Sequence, residues 1–306
     1  MWPSVSHGES AYDNVGAELD SLSGGSPTAT VRLKVLHTDS EFWADTLKRA
    51  DEVMASAEFS PVKSGARILA GFILNQGQPN AFIKRFTTDS WSRGILERLR
   101  GSRAARSLKA ASLLAAEGFS CPRVIAAAEV YGSGAIRRSY LVTEPLASAK
   151  TFSIFIDRRQ GPSRQTVAWR TRILAMVAAE VRRMHDAGIF TSDLQETNLM
   201  LEERESEIRI YFVDLDSFQH HPRISQKNRR RNLVQLDRSV GRFLNRTERL
   251  HFLYNYLGGR PDRSSARALI TDLLSERRRK DQQYRRRRAR RGDEQTGLVE
   301  AQSARD

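Results

Sequence analysis

The sequence of 306 residues contains a single cysteine, Cys121. One cysteine excludes a disulfide within the chain and a metal site built from cysteines, and it suits a reducing compartment. The longest stretch without a charged residue, residues 68–83, has a polar break at residues 75–80, whereas a transmembrane helix needs about 20 mostly apolar residues. The N-terminus also lacks a basic start followed by an apolar run. We therefore expect neither a membrane span nor a secretory signal.

Charge of one sign is missing from the first part of the chain. Residues 1–31 contain no lysine or arginine, and their four acids and many serines and glycines are typical of a disordered acidic tail. Residues 277–291 hold ten basic residues and one acid, and residues 32–276 carry +12 of the total formal charge of +14. A basic chain of this kind has three usual partners: nucleic acid, an anionic membrane surface or a phosphorylated substrate.

The basic residues are mostly arginine, 42 of 50. Arginine presents a planar fork that binds phosphate or carboxylate through two parallel hydrogen bonds. A genome that favours arginine codons would explain the same bias. Composition alone therefore does not choose among the three partners.

Hydrophobic periodicity predicts a small sheet with a helix in the first half of the chain. Alternation over residues 31–36 is typical of a strand, and a helix is expected from Ser40 to about Ala57, with Phe42, Leu47, Ala50 and Met54 facing inward. Further along we predict, in order, a hairpin of strands 67–74 and 81–86, a helix over 103–117, and two strands at 124–131 and 140–146.

The second half is predicted to be mostly helical. A long helix is expected over residues 166–187, followed by a polar loop, and a hairpin joins the apolar runs 199–201 and 208–213. Residues 228–276 also have a helical pattern. The resulting fold class is α+β. Its expected segments are an acidic tail (1–30), a sheet lobe (31–145), a helical lobe (146–276) and a basic, flexible tail (277–306).

Four polar residues occur in an order that indicates phosphoryl transfer. Lys84 lies in a strand, Asp193 opens a loop that places Asn198 five residues later, and Asp214 ends an apolar strand. Phosphoryl transfer needs a cation on the nucleotide phosphates, oxygen ligands for Mg²⁺ and a carboxylate facing the acceptor hydroxyl. Taken singly, each residue would more often be a turn or surface residue. Together they follow the order found in protein kinases.

The segments around these residues resemble the lipopolysaccharide core kinases of the Kdo kinase and WaaP type. The resemblance extends from about Val62 to about Asn245 and includes His185, which we interpret as a structural histidine beneath the loop. The segments that resemble the family are His185–Asp193, Asn198–Leu201, Phe212–Asp216, Arg231–Ser239, Gly101–Arg106 and Gly118–Pro122.

The resemblance implies a two-lobed, protein-kinase-like fold that transfers the γ-phosphate of ATP, with Mg²⁺, to a sugar hydroxyl of lipopolysaccharide core or a related anionic glycolipid. It implies a cytoplasmic protein in peripheral contact with the inner membrane through arginine-rich segments. Its implied site residues are Asp193 as catalytic base, Asn198 and Asp214 as metal ligands, Lys84 and Gly65 for the phosphates, and Glu144 at the hinge that meets adenine.

Two positions depart from the family pattern. Thr191 stands where a histidine that supports the loop is common, and Ser107 stands near the place of the glutamate that pairs with the nucleotide-binding lysine. Glu97 or Glu117 are the candidate substitutes, although neither is well placed by counting. The alternative function is a catalytically weak or inactive pseudokinase that binds nucleotide as a regulatory module.

A nucleic-acid binder that uses the arginine-rich tail is a third hypothesis. Phosphate-driven binding would weaken steeply with salt. The tail carries only one aromatic residue, Tyr284, among its charges. We therefore rank nucleic acid below the other two partners.

Overall fold

The computed structural model describes residues 32–283, apart from 206, 263 and 265, together with residue 286. The chain divides into two compact units: the first contains the described residues up to Ala111 and the segment Pro122–Ala147, and the second contains Ser112–Cys121 and the described residues from Ser148 onward. The acidic tail expected at 1–30 lies outside the described residues, as does most of the basic run after residue 283. No helix within the described residues is long and apolar enough to cross a membrane.

The first unit is built on a six-stranded antiparallel sheet in the order β1-β5-β6-β4-β3-β2. Two of its hairpins are closed by tight turns, at Gln76-Gly77 and at Ser133-Gly134. All four turn residues have positive φ. Two-residue turns of this kind match the twist of the strands that they connect. The strands are β1 (Arg32–Thr38), β2 (Phe59–Gly65), β3 (Ile68–Asn75), β4 (Gln78–Thr87), β5 (Val124–Gly132) and β6 (Ala135–Thr143).

Four helices follow β1 or β4 in the chain: α1 (Glu41–Lys48), α2 (Ala50–Val53), α3 (Trp91–Arg100) and α4 (Arg103–Ala116). The end of α4, from Ser112 onward, belongs to the second unit. The expected single helix after Ser40 is therefore two short ones. Leu47, Ala50 and Met54 lie in the core against the sheet, as predicted. Phe42 was wrong as an inward-facing residue, because its side chain is largely exposed.

Two elements of the first unit have no counterpart in the prediction, β2 and α3. The strand β2 lies at the edge of the sheet and contains Pro61 beside an irregularity in its pairing with β3. Proline is tolerated at edges and bulges, and an edge strand needs little apolar alternation. The helix α3 leaves large apolar side chains exposed, so its pattern does not resemble that of a core helix.

The second unit contains the long helix α6 (Arg164–Asp186), preceded by α5 (Phe152–Asp157). The Ser163 hydroxyl accepts from the Thr166 N–H at its start, and Gly188, with φ of 73°, follows its end. Its inward face was predicted correctly, since the helical spacing of apolar residues is regular. The fully buried members of that predicted face are Ile173, Val177, Val181 and Met184.

Short strands surround the polar loop of the second unit. The predicted hairpin is confirmed, with β9 (Leu199–Arg204) antiparallel to β10 (Glu207–Phe212). β7 (Lys150–Thr151) extends this sheet, and β8 (Ile189–Thr191) pairs with β11 (Phe218–His220).

The helical stretch expected over 228–276 is interrupted. α7 (Gln226–Val240) ends in a 3₁₀ turn, and α8 (Arg246–Leu257) begins at Asn245, which forms a capping box with Glu248. A further helix covers residues 266–283 and passes the boundary drawn at 276. Arg277 on this helix donates to Asp237 of α7 at 2.8 Å. The first seven residues of the expected flexible tail are therefore helical.

Candidate active site

The loop after β8 carries the proposed catalytic base and holds it through its own polar groups. The Nδ2 of Asn198 donates to the backbone oxygen of Asp193 at 2.9 Å and to its Oδ2 at 3.2 Å. Gln195 Nε2 donates to the other carboxylate oxygen, Oδ1. Both oxygens of Asp193 thus accept hydrogen bonds from residues of the same loop. This arrangement fixes the direction of the carboxylate.

The hairpin brings Asp214 to the same edge as Asn198. Leu199 pairs with Phe212 in the ladder, and the Val213 N–H donates to the Asn198 carbonyl at 3.0 Å. Asp214, the next residue, has a left-handed backbone with φ 59° and ψ 56°. Such a conformation is uncommon for residues other than glycine and is often found at functional sites. Asp193, Asn198 and Asp214 therefore lie in one connected piece of the second unit.

A buried layer beneath the loop supports it. The Thr191 side chain is almost fully buried, its hydroxyl lies 2.6 Å from the Ser217 hydroxyl, and it accepts from the Asp193 N–H at 3.2 Å. Asn232 donates to the Thr191 carbonyl at 2.8 Å, and Gln235 donates to the Ser192 carbonyl at 2.7 Å. Thr191 thus supports the loop by hydrogen bonds of its own.

Sequence analysis did not single out Gln195, Ser217, Asn232 or Gln235. A signal was present for Asn232, which is a polar residue on the apolar face of α7 formed by Leu233 and Leu236 and is fully buried. A buried amide on such a face must find hydrogen-bond partners. It therefore marks a helix that holds a loop rather than one that only fills a core.

His185 has the structural role that was expected. Its ring is buried between the Tyr256 hydroxyl, 2.8 Å from Nδ1, and the Asn232 Oδ1, 3.0 Å from Nε2. Burial lowers the pKa of His185 to about 4, and the nearby Arg229 guanidinium acts in the same direction. The ring is thus neutral at pH 7, and it links α6, α7 and α8 beneath the loop.

The first unit holds the proposed nucleotide-binding residues. Lys84 lies in the middle of β4, between Ala70 of β3 and Leu141 of β6, with Nζ 5.9 Å from the centroid of the Phe82 ring. Gly65 is the last residue of β2 and pairs with Ile68 across the β2–β3 turn. The central position of β4 fixes the backbone of Lys84 between two neighbouring strands.

Glu144 follows the last residue of β6. Its N–H donates to the Arg123 carbonyl at 2.9 Å, and its carboxylate accepts from Arg123 Nε at 2.7 Å. The backbone N–H and the side chain are thus engaged within the first unit. Neither of these two hydrogen bonds involves the backbone carbonyl oxygen of Glu144.

The helix α4 contains no aspartate or glutamate over Arg103–Ala116. Ser107, at the position expected for a carboxylate, is buried, and its hydroxyl donates to the Arg103 carbonyl of its own helix at 2.9 Å. Glu97, one candidate substitute, lies 3.5 Å from the Arg106 guanidinium. Glu117, the other, is an exposed residue that follows the end of α4.

The side-chain oxygens of Asn198 and Asp214 suit Mg²⁺ better than they suit a metal that takes all of its ligands from protein. The described residues contain no group of three or more His, Cys, Asp or Glu side chains that could hold a metal. Mg²⁺ usually takes one or two carboxylates and completes its shell with water and phosphate. Because the Asn198 nitrogen donates to Asp193, the amide oxygen is the group of that side chain that could coordinate the ion.

This fold, with an aspartate and an asparagine in one loop and an aspartate at the end of the following hairpin, is that of a protein-kinase-like protein. A family model described as the lipopolysaccharide kinase (Kdo/WaaP) family matches residues 80–256. The match covers more than half of the chain. The chain therefore belongs to the lipopolysaccharide kinase (Kdo/WaaP) family, which confirms the resemblance found in the sequence and supports a phosphotransferase role.

One solved structure shares the fold. WaaP in complex with acyl carrier protein is 21% identical, with a TM-score of 0.58 over 82% of this chain and 98% of that one. A double mutant of the PknI kinase domain from Mycobacterium tuberculosis is 15% identical, with a TM-score of 0.36, and the match covers 68% of this chain and 77% of that one. No curated protein matches the sequence.

Proposed function

We propose that the protein is an ATP- and Mg²⁺-dependent kinase that phosphorylates a sugar hydroxyl of lipopolysaccharide core or of a related anionic glycolipid. The observation that carries the proposal is the convergence of three residues at one edge of the second unit. Asp193 is held by Asn198, and the backbone next to Asp214 is hydrogen-bonded to Asn198. These residues supply the groups that phosphoryl transfer requires.

Asp193 is the proposed catalytic base. In kinases a loop carboxylate accepts the proton of the attacking hydroxyl while the phosphoryl group is transferred. The hydrogen bonds from Gln195 and Asn198 hold the Asp193 carboxylate in one orientation. The acceptor hydroxyl would meet this carboxylate, and its oxygen would form the new bond to phosphorus as the bond to the leaving diphosphate breaks.

Asn198 and Asp214 are the proposed ligands of Mg²⁺. Their side chains offer an amide oxygen and a carboxylate, the hard oxygen donors that this ion prefers. When bound, the ion would neutralise negative charge on the phosphates of the nucleotide. The left-handed backbone of Asp214 supports this role, because strained residues persist where function requires them.

Lys84, Gly65 and Glu144 are the proposed nucleotide contacts. Lys84 would bind the phosphates as a cation, Gly65 would cover them from the end of β2, and the Glu144 carbonyl would meet adenine. A Cβ at Gly65 would have the Ile68 oxygen, at 3.7 Å, as its nearest atom among the described residues. The space beside the Gly65 backbone is therefore open to a group the size of a methyl.

The net charge supports the proposed acceptor and its proposed location. Residues 32–276 carry +12, and a basic surface raises the local concentration of anionic substrates. A phosphate-bearing glycolipid in an anionic membrane fits this charge without a nucleic-acid partner. The proposed location is the cytoplasmic face of the inner membrane, in peripheral contact through arginine-rich segments.

The test is transfer of labelled γ-phosphate to lipopolysaccharide core acceptors by the wild type and by Asp193→Asn. Loss of a positioned general base lowers turnover by about 10²- to 10⁴-fold. Asp45→Asn changes an exposed aspartate that pairs with Lys48 on α1 and serves as the matched control. Equal transfer by the wild type and Asp193→Asn would remove the proposed role of Asp193.

The alternative is a nucleotide-binding pseudokinase, which is favoured by the absence of a carboxylate from α4. In protein kinases a glutamate of the corresponding helix pairs with the nucleotide-binding lysine. Thermal unfolding with ATP, with and without Mg²⁺, separates the two in part. Stabilisation by Mg-ATP without turnover on any sugar acceptor would favour the pseudokinase.

A further inference from the structure

The helix α3 lies directly on the sheet of the first unit through a glycine. A Cβ at Gly94 would be 2.5 Å from the Ile136 oxygen and 2.9 Å from the Ala135 Cβ. Such distances leave no room for a side chain, so the helix backbone contacts the start of β6. The face of α3 that contains Gly94 therefore packs against the sheet.

The opposite face of α3 presents apolar side chains outward. Successive residues of an α-helix are separated by about 100°, so Leu96 and Leu99, two and five positions after Gly94, point away from the sheet. Their exposed fractions are 42% and 79%. Trp91, which is 56% exposed, lies three positions before Gly94 and therefore beside this face rather than on it. The Trp91 Nε1 donates to the Ser133 carbonyl at 3.1 Å, which holds the indole beside the β5–β6 turn.

The charges around this apolar face are mostly positive. Arg93, Arg98 and Arg100 are exposed residues of α3. Arg93 pairs with Asp89 just before the helix, and Glu97, the one acid of α3, lies beside Arg106. Arg98 also donates to the Gly134 carbonyl at 2.7 Å. From Arg98 to the end of α4, residues 98–116 contain five basic residues and no acid.

We propose that α3 is an interfacial helix through which the first unit contacts an anionic lipid bilayer, with Leu96 and Leu99 among the acyl chains and Arg100 at the headgroups. Helices that lie in the membrane interface typically have one apolar face and basic residues on the rest of their surface. Tryptophan favours the same depth, because its ring is apolar and its N–H is polar. Anionic lipids attract each nearby arginine.

The combination of leucines and arginines favours a lipid bilayer over a nucleic acid and over a neutral protein. A nucleic acid would use the arginines but gain little from two exposed leucines, since its backbone contacts are electrostatic. A neutral protein partner would use the leucines but not the excess of arginine. The inference rests on the peripheral membrane contact of the proposed function and names the helix that makes it. It is measured without ATP or a sugar acceptor, so its failure is distinguishable from a failure of phosphoryl transfer.

The experiment is co-sedimentation of the full chain with vesicles of phosphatidylcholine alone or with added phosphatidylglycerol. The variants are Leu96→Glu/Leu99→Glu, Arg100→Gln, and Val167→Glu, which places an acid on an exposed residue of α6 as a matched control. We expect the wild type to bind the anionic vesicles and the double variant to lose roughly tenfold or more in affinity, since it loses apolar area and gains charge. Arg100→Gln should lose less, and Val167→Glu should bind as the wild type does.

Thermal unfolding and light scattering accompany each measurement. Binding by the double variant equal to that of the wild type, with an unchanged melting temperature, would overturn the proposal. A wild type that sediments with neither vesicle would also overturn it. A wild-type dimer that the double variant converts to a monomer, with no difference in lipid binding, would assign the face to a second copy of the chain instead. If the double variant fails to fold, Leu99→Ser, a single change at the most exposed of these leucines, provides the same comparison.

Discussion

Asn198 joins the proposed base to the proposed metal site. Its amide nitrogen donates to Asp193, and its backbone oxygen accepts from the residue before Asp214. The sequence showed these three residues by their order and spacing. It could not show that Asn198 is hydrogen-bonded both to Asp193 and to the residue before Asp214, because the second bond depends on the register of the hairpin.

We predict that Asn198→Ala raises the Mg²⁺ concentration needed for half-maximal transfer by roughly tenfold or more. The variant removes the amide oxygen from the proposed metal site and the hydrogen bond to Asp193. A titration of activity against Mg²⁺ measures the shift, and Asn75→Ala, at the end of β3, is the control. An unchanged Mg²⁺ requirement would contradict the ligand role.

The protein should become less stable as the pH falls, because His185 is buried in its neutral form. The folded pKa of about 4 lies below the ordinary value of 6.5, so between these values the unfolded chain binds a proton that the folded chain does not. The contribution is fully present above pH 6.5 and is lost as the pH falls toward 4. Its size is roughly 3 kcal/mol.

Denaturant unfolding at several pH values tests this prediction on the wild type and on His185→Gln. The variant should be less stable at pH 7 because its amide cannot reproduce both contacts, to Tyr256 and Asn232. Its free energy of unfolding should nevertheless fall less between pH 6.5 and 4 than that of the wild type. Equal pH slopes for the two proteins would assign the acid sensitivity to other groups.

At the level of elements, the turn between α6 and β8 sets the position of the loop. Gly188 has φ of 73°, and a Cβ there would lie 2.2 Å from the His221 oxygen. Both the backbone conformation and the close approach require glycine. The next residues, Ile189–Thr191, form β8 and lead directly to Asp193.

We predict that Gly188→Ala lowers the free energy of unfolding by more than about 2 kcal/mol, since it adds a steric contact to the left-handed strain. Gly77→Ala is the matched control, because Gly77 has a similar φ of 77° and no described atom within 4 Å of a Cβ. Chemical denaturation of both variants gives the comparison. Equal losses would show that strain alone, without the His221 contact, determines the cost.

Elements with a strong apolar period were predictable, and those without one were not. α6 and the β3–β4 hairpin follow regular patterns, and the structure has both. β2 and α3 were missed because one is a polar edge strand and the other is apolar on its exposed face. The support of the loop was missed for another reason: Ser217 and Asn232 contact Thr191 across 26 and 41 residues of sequence.

For the whole molecule, the charge of +14 has parts with different meanings. The +12 within residues 32–276 belongs to the chain that carries the proposed site and α3. A part of the basic run is helical and is joined to α7 through Arg277 and Asp237. We therefore relate the excess of arginine to the proposed anionic acceptor and anionic membrane surface rather than to a nucleic acid.

We propose that the Asp193 site phosphorylates a membrane glycolipid. The direct test is mass spectrometry of the glycolipid from cells that carry the wild-type gene, the Asp193→Asn gene or no copy of the gene. We expect a species one phosphate heavier in wild-type cells alone, with equal amounts of wild-type and variant protein. The same glycolipid phosphorylation in all three would contradict it.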